Sequence, residues 1–152
     1  MTKTIEVRRT MSAAPNAVWR VLSNLDAWPD WLPTVDRVAR GEAGVGPGPD
    51  AVYRVEQPKL PPTDWTVTDW RPGTAFSWRS RRPGVVTTAD HVIRPLDAGG
   101  SEVTLRMTFD GPLAWLVHRL YQGMTRNYMQ TEAEALAVRA GAGAGAGALD
   151  AG

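Results

Sequence analysis

SEVTLRMTFDGP, residues 101–112, decides the fold. Val103, Leu105, Met107 and Phe109 fall on one side of an extended chain, and Thr104, Arg106, Thr108 and Asp110 on the other. That period of two is the mark of an antiparallel strand with one buried face. Gly111-Pro112 ends it, and the apolar spacing changes to that of a helix predicted over 112–138. From Leu113 onward, Val117, Leu120, Met124, Asn127, Tyr128, Thr131, Ala135 and Val138 form one stripe. A long helix laid on the concave face of a curved sheet encloses a space, and the contents of that space are the functional question.

The same alternation recurs upstream. Ile5, Val7 and Met11 share one face of a first strand over 4–11. Ser12 is placed to cap a short helix around 15–24, with Pro15 in its first turn. DAWPDWLP, with two tryptophans around Pro29, predicts one helical turn and a loop. Residues 34–40 form a weaker strand, and 41–50 a Gly/Pro turn region. Ala51, Tyr53 and Val55, then Trp65 and Val67, then Phe76 and Trp78 face inward on three further strands. In 85–94 the polar Asp90 and Arg94 turn Ala89, His91 and Ile93 inward. Short turns between consecutive strands predict an antiparallel meander. AGAGAGAGA at 140–148 predicts the helix to end near Ala140, because glycine costs about 1 kcal/mol per helical position relative to alanine. One domain over 1–139 and a flexible tail over 140–152 are expected.

Composition narrows the class. The 152 residues suffice for one domain with a core, and 17 basic against 16 acidic side chains leave a net charge of +1. The only basic cluster is RSRR at 79–82, so no nucleic-acid footprint is expected. There is no cysteine and there are two histidines, at no metal-ligand spacing, so neither metal nor cofactor is expected. No signal peptide or membrane span is read, which makes a cytoplasmic protein without integral membrane association, monomer or homodimer, the expectation. Seven tryptophans imply much apolar area to cover.

Three segments carry a resemblance: SAAPNAVWRVLSNLDAWPDW at 12–31, VTDWRPGTAFSWRS at 67–80 and GSEVTLRMTFDGPLA at 100–114. With the terminal helix they span nearly all of 3–138, and the first is the most specific. The chain resembles the START-like (SRPBCC) superfamily, in its polyketide cyclase/dehydrase-like bacterial branch. The resemblance implies an α+β helix-grip fold, also called Bet v 1-like: a curved seven-stranded antiparallel sheet around a long C-terminal helix, with two short helices after the first strand. It also implies a hydrophobic cavity between sheet and helix. Aromatic cyclases of this family steer their substrate with a tyrosine after the W-P segment and an arginine on a central strand. Here the first place holds Val35, and the second falls near Asp69 or Arg71, a departure from the cyclase pattern.

The inward pattern gives the candidate ligand-binding residues Tyr53, Trp65, Phe76, Trp78, His91, Met107 and Phe109 on strands. Leu120, Met124, Asn127, Tyr128 and Thr131 are the candidates on the helix. They read either as a filled core or as the lining of a small-molecule pocket. His91 titrates nearest neutrality and is the first candidate general acid or base, with Tyr53 and Tyr128 as hydrogen-bond donors; its plainer reading is a neutral core histidine bonded to backbone. His118 reads as a surface group, Asp69 as a turn residue or an acid at the cavity mouth, and Trp28 and Trp31 as a plug or a lid. The leading functional reading is binding of a hydrophobic lipid, isoprenoid or polyketide-like molecule. A polyketide cyclase/dehydratase and an adaptor using a Trp28/Trp31 surface are the alternatives.

Overall fold

A computed structural model describes residues 2–41 and 47–151, with side chains as far as Ala142. Part of the expected turn at 41–50 therefore lies outside the described residues. The chain runs β1 (Lys3–Met11), α1 (Pro15–Ser23), a 3-10 turn (Leu25–Ala27) and α2 (Trp28–Trp31). Then come β2 (Arg37–Arg40), β3 (Val52–Glu56), β4 (Thr63–Arg71), β5 (Ala75–Arg82), β6 (Val85–Pro95), β7 (Ser101–Asp110) and α3 (Ala114–Ala151). The seven strands form one antiparallel sheet in the order β1-β7-β6-β5-β4-β3-β2. This is the helix-grip fold that the sequence predicts.

Strands β2 to β7 each pair with the next, and short connections set the register from β3 to β7. The exception is β1, which pairs with β7 from Lys3 opposite Phe109 to Met11 opposite Ser101. Because β1 and β2 lie at opposite edges, the α1–α2 segment must cross the whole sheet. It carries Val18, Leu22, Leu25, Trp28 and Leu32 into the core as it does so. Its start is pinned where the buried Ser101 hydroxyl donates to the Ala13 carbonyl at 2.7 Å. Gly100 makes that approach possible: its φ is +85°, and a Cβ there would lie 2.4 Å from the Met11 carbonyl oxygen. Helix α1 begins at Pro15, as the sequence suggests, but its cap differs. Ala14, not Ser12, is its N-cap, and Pro15 at the first helical position replaces a backbone donor that would otherwise lack a partner.

The inner faces follow the predicted alternation. Ile5, Tyr53, Val55, Trp65, Val67, Phe76, Trp78, Ala89, Ile93, Val103, Leu105 and Phe109 are buried, and so is His91. The helix does not follow it. Its buried stripe is Ala114, Met129, Ala133, Leu136 and Ala140, whereas Leu120 is 66% and Val138 72% exposed. Asn127 is exposed as well, and Thr131 is half-buried. The predicted stripe advances seven residues every two turns, and an unsupercoiled helix drifts about 20° per such step. Over the length of α3 that error rotates the reading off the core. The helix also continues through the Ala/Gly repeat to Ala151 rather than stopping near Ala140. Each residue added to an existing helix gains a hydrogen bond without a new nucleation cost, and alanine at alternate positions offsets the glycines. No described helix is long and apolar enough to cross a membrane.

The helix phase is testable. Leu136→Ala is expected to cost about 2–5 kcal/mol, as for a fully buried leucine. Val138→Ala should stay within about 0.5 kcal/mol, as at an exposed surface site. Equal losses in chemical denaturation would overturn this phase.

Candidate functional site

A cavity of about 380 Å³ lies between the inner sheet face and α3. Helix α3 packs on β1, β7 and β6, and on α1 and α2. The cavity opens on the side of the sheet that the helix leaves uncovered. Its wall there is aromatic: Trp65 and Trp78 stack at 5.5 Å, and Trp28 meets Trp78 edge-on at 5.3 Å. Trp28 comes from α2 and is held by its indole N–H, which donates to the Leu22 carbonyl at 3.0 Å. From α3, Val117, Tyr121, Met124, Tyr128 and Met129 close the other side.

The mouth lies where lining residues reach solvent, at Pro61, Arg82 and Tyr121. Two sets of bonds hold the β3–β4 connection there. The Tyr128 hydroxyl donates to the Pro58 carbonyl. The Arg82 guanidinium donates to the Pro62 carbonyl at 3.3 Å and to Thr63 Oγ1 at 3.0 Å.

The deep end holds two polar side chains, His91 from β6 and Glu132 from α3. His91 stacks on Phe76 at 4.1 Å, and its Nδ1 lies 3.3 Å from the Phe76 carbonyl oxygen. A carbonyl only accepts, so Nδ1 carries the proton and Nε2 presents a lone pair. Glu132 Oε2 lies 3.9 Å from Nε2, too far for a direct hydrogen bond and close enough for one oxygen to bridge them. Burial pushes His91 down to about 4; the Phe76 carbonyl and the nearby Asp90 carboxylate oppose that shift. Burial pushes Glu132 up to about 8. Both shifts favour the uncharged form, so near neutral pH the pair is a neutral imidazole facing a carboxylic acid. One atom accepts a proton and the other donates one, side by side in an apolar chamber.

The structure brings seven of the sequence-derived candidates to this cavity: Trp65, Trp78, His91, Met107, Phe109, Met124 and Tyr128. Five do not line it. Tyr53 and Phe76 are buried in the layer around its wall, and burial raises the Tyr53 hydroxyl above its ordinary range, with Asp26 adding to the shift. Leu120 and Asn127 point to solvent, because Tyr121 and Tyr128, one residue on, take the inward positions of those turns; Thr131 sits beside the lining, where the helix drift has moved the stripe to Glu132. Asp69 pairs with Arg71 at 3.0 Å outside the cavity, and His118 rests against the edge of Phe109 at 6.4 Å. Trp28 is buried and Trp31 half-buried, so of the Trp28/Trp31 surface that an adaptor would use only part of Trp31 is presented. Glu132 was missed. Its signal is its spacing: it stands four residues after Tyr128 and eight after Met124, an acid on the cavity stripe.

The raised Glu132 group ties stability to pH. Its folded pKa lies above the unfolded value, so the folded form binds the extra proton between about pH 4.5 and 8. Its contribution is complete below the unfolded pKa and is lost as pH rises through about 8. His91 acts oppositely, gaining stability as pH rises from about 4 to 6.5, so above that only Glu132 acts. Glu132→Gln should therefore gain on wild type as pH rises from 6.5 to 8, by an amount on the order of 1–2 kcal/mol. A Tm difference between the two proteins that stays constant over this range would show that Glu132 ionises as an ordinary carboxylate.

The comparisons with known proteins agree with this architecture. No curated protein matches the sequence. Among solved structures, the ZhuI aromatase/cyclase from Streptomyces sp. R1128 superposes with a TM-score of 0.75 at 18% identity, over 92% of this chain and 94% of that one. The di-domain aromatase/cyclase StfQ of the steffimycin biosynthetic pathway gives a TM-score of 0.76 at 14% identity, over 95% of this chain and 52% of that longer one. Norcoclaurine synthase from Thalictrum flavum gives 0.72 at 13% identity, over 92% of this chain and 94% of that one. At such identities these likenesses speak for the fold. The family model described as "Polyketide cyclase / dehydrase and lipid transport" matches residues 2–141, and with that span the chain belongs to this family.

Proposed function

We propose that this protein binds a hydrophobic small molecule, a lipid, isoprenoid or polyketide-like compound, in the cavity between sheet and α3. The observation that carries this reading is the 380 Å³ chamber itself, walled by Trp28, Trp65, Trp78 and Phe109, with His91 and Glu132 among its polar lining groups. Its volume falls in the range of small-molecule pockets, about 300–1,000 Å³. Apolar burial contributes about 25 cal/mol per Å², so the aromatic wall supplies affinity. His91 and Glu132 would fix which end of the ligand enters first.

The His91–Glu132 pair favours a second reading, a dehydratase or cyclase acting on a β-hydroxy carbonyl segment of a polyketide-like chain. In such a step His91 Nε2 takes the proton from the carbon beside the carbonyl. The C–H electrons form the C=C bond, the C–O bond breaks, and the hydroxyl leaves as water with the Glu132 proton. The imidazolium then returns its proton to the carboxylate through the released water, so the pair is restored with nothing else consumed. Apolar walls suit this chemistry, because both groups begin and end uncharged.

Met124→Trp tests the cavity. It is expected to keep the fold and lower affinity for a hydrophobic fluorophore at least tenfold, since a larger side chain is tolerated only where space exists. If the variant loses several kcal/mol of stability instead, the space under α3 is already filled and both readings lose their support. Native mass spectrometry of the freshly purified protein would identify a retained ligand.

Carrier and enzyme separate at His91. For an enzyme, His91→Phe should lower turnover by about two to four decades with little change in substrate affinity. For a carrier, the same change should move affinity by about tenfold at most, one ordinary hydrogen bond, and the wild type should return the ligand unaltered. Turnover that survives His91→Phe would exclude the imidazole as the base.

A further inference from the structure

The mouth end of the molecule carries a surface that the cavity does not explain. Seven large apolar side chains are exposed among the described residues, and four of them, Leu113, Trp115, Leu120 and Tyr121, fall within nine residues at the start of α3. Tyr121 is at once exposed and part of the cavity lining, so this stretch borders the mouth. Scattered single leucines on a surface need no account; a cluster at a pocket's rim does.

The charges around it are segregated. From Gly111 to Thr131 there is no acidic residue, while Arg119 and Arg126 lie in that stretch. Lys59 is next to Leu60 of the mouth, and Arg82 lines the mouth. Elsewhere on the molecule most arginines are matched with carboxylates, as in Arg40–Asp26 at 2.6 Å, Arg106–Glu6 at 2.7 Å and Arg94–Glu102 at 3.0 Å; Arg20, Arg79, Arg81 and Arg139 are the exceptions among the described residues. Lys59, Arg82, Arg119 and Arg126 are in no such pair among the described residues.

We propose that the cavity mouth docks on an anionic lipid surface, with Leu113, Trp115 and Leu120 at the acyl boundary and Lys59, Arg82 and Arg119 on the head groups. Unmatched cations beside exposed tryptophan and leucine are the combination that an anionic interface rewards: charge attracts the protein, and apolar burial holds it there. The reason to dock rests on the hydrophobic-ligand reading above, because a ligand sparingly soluble in water would pass most readily between a bilayer and a mouth pressed against it.

The experiment is co-sedimentation of the full chain with vesicles of phosphatidylcholine, alone or with one-third phosphatidylglycerol, at low salt and at about 0.5 M salt. Wild type is expected to bind the anionic vesicles at least tenfold more tightly than the neutral ones and to lose that advantage in high salt. Leu120→Glu and Arg119→Glu should each weaken anionic-vesicle binding about fivefold or more. Both residues lie outside the cavity, so fluorophore affinity should stay within about twofold of wild type. Equal binding to neutral and anionic vesicles, or variants that bind like wild type, would overturn the proposal. A dimer in size-exclusion chromatography that Leu120→Glu dissociates, without vesicle binding, would overturn it in favour of an interface between two copies. Loss of fluorophore binding in wild type would strike the cavity reading alone, since vesicle binding is measured without it.

Discussion

One helix cannot cover seven strands. Strands lie about 4.8 Å apart, so a seven-stranded sheet is close to 30 Å broad, whereas a helix with its side chains is about 10–12 Å across. The chain meets this mismatch in two ways. It seats α3 toward β1, β7 and β6, and it passes the α1–α2 segment across the sheet to bring Trp28 beneath the uncovered part. Large aromatic side chains then span what remains. Trp28, Trp65, Trp78 and Phe76 meet one another at 5.3–6.2 Å, the separation at which aromatic pairs attract by edge and offset face. They form a lining rather than a filling, and the cavity is the part of the mismatch that side chains do not close.

That lining determines the chemistry of its two polar residues. In water a histidine and a glutamate meeting at 3.9 Å would be expected to share charge as an ion pair. In an apolar chamber each ion must give up its hydration, and the gain from the partner does not automatically repay two such losses. Burial therefore moves the histidine down and the carboxyl up. The Phe76 carbonyl adds a second constraint by holding the Nδ1 proton, so that the free lone pair is the one aimed at Glu132. A buried carboxyl of this kind lowers stability as pH rises, and a site that keeps it has kept a donor and an acceptor together inside a dry pocket.

The fold was legible because strands announce themselves locally. Each inward strand position from Tyr53 to Phe109 could be read from parity within one strand, and an error there would have shown at once as a polar residue facing the core. The helix was harder. A stripe counted in sevens agrees with the true one near Val117 and Met124, then drifts, so Thr131 and Val138 were placed inward while Met129, Ala133 and Leu136 hold the core. Glu132 was lost for the same reason, and because a glutamate is so seldom buried that residue type argued against it. Tyr53 failed differently. Its parity was right, but parity separates inside from outside and cannot separate a cavity lining from the packed layer around it. That distinction depends on where α3 sits across the sheet, which no single strand encodes.

The two halves of α3 divide the work of the site. Its later half buries Ala133, Leu136 and Ala140, and small residues there let the helix backbone come close to its neighbours. The earlier half turns Val117, Tyr121, Met124 and Tyr128 toward the cavity and leaves Leu113, Trp115 and Leu120 on the outside. A helix packed closely at one end and lightly at the other has its least stable contacts beside the cavity mouth. The tethers present there, Tyr128 to the Pro58 carbonyl and Arg82 to the Pro62 carbonyl and Thr63, are hydrogen bonds at a partly solvated rim. Each contributes about 1 kcal/mol, far less than the packing of the aromatic wall. The deep end of the cavity is thus bounded by packed aromatic side chains and its mouth by polar bonds.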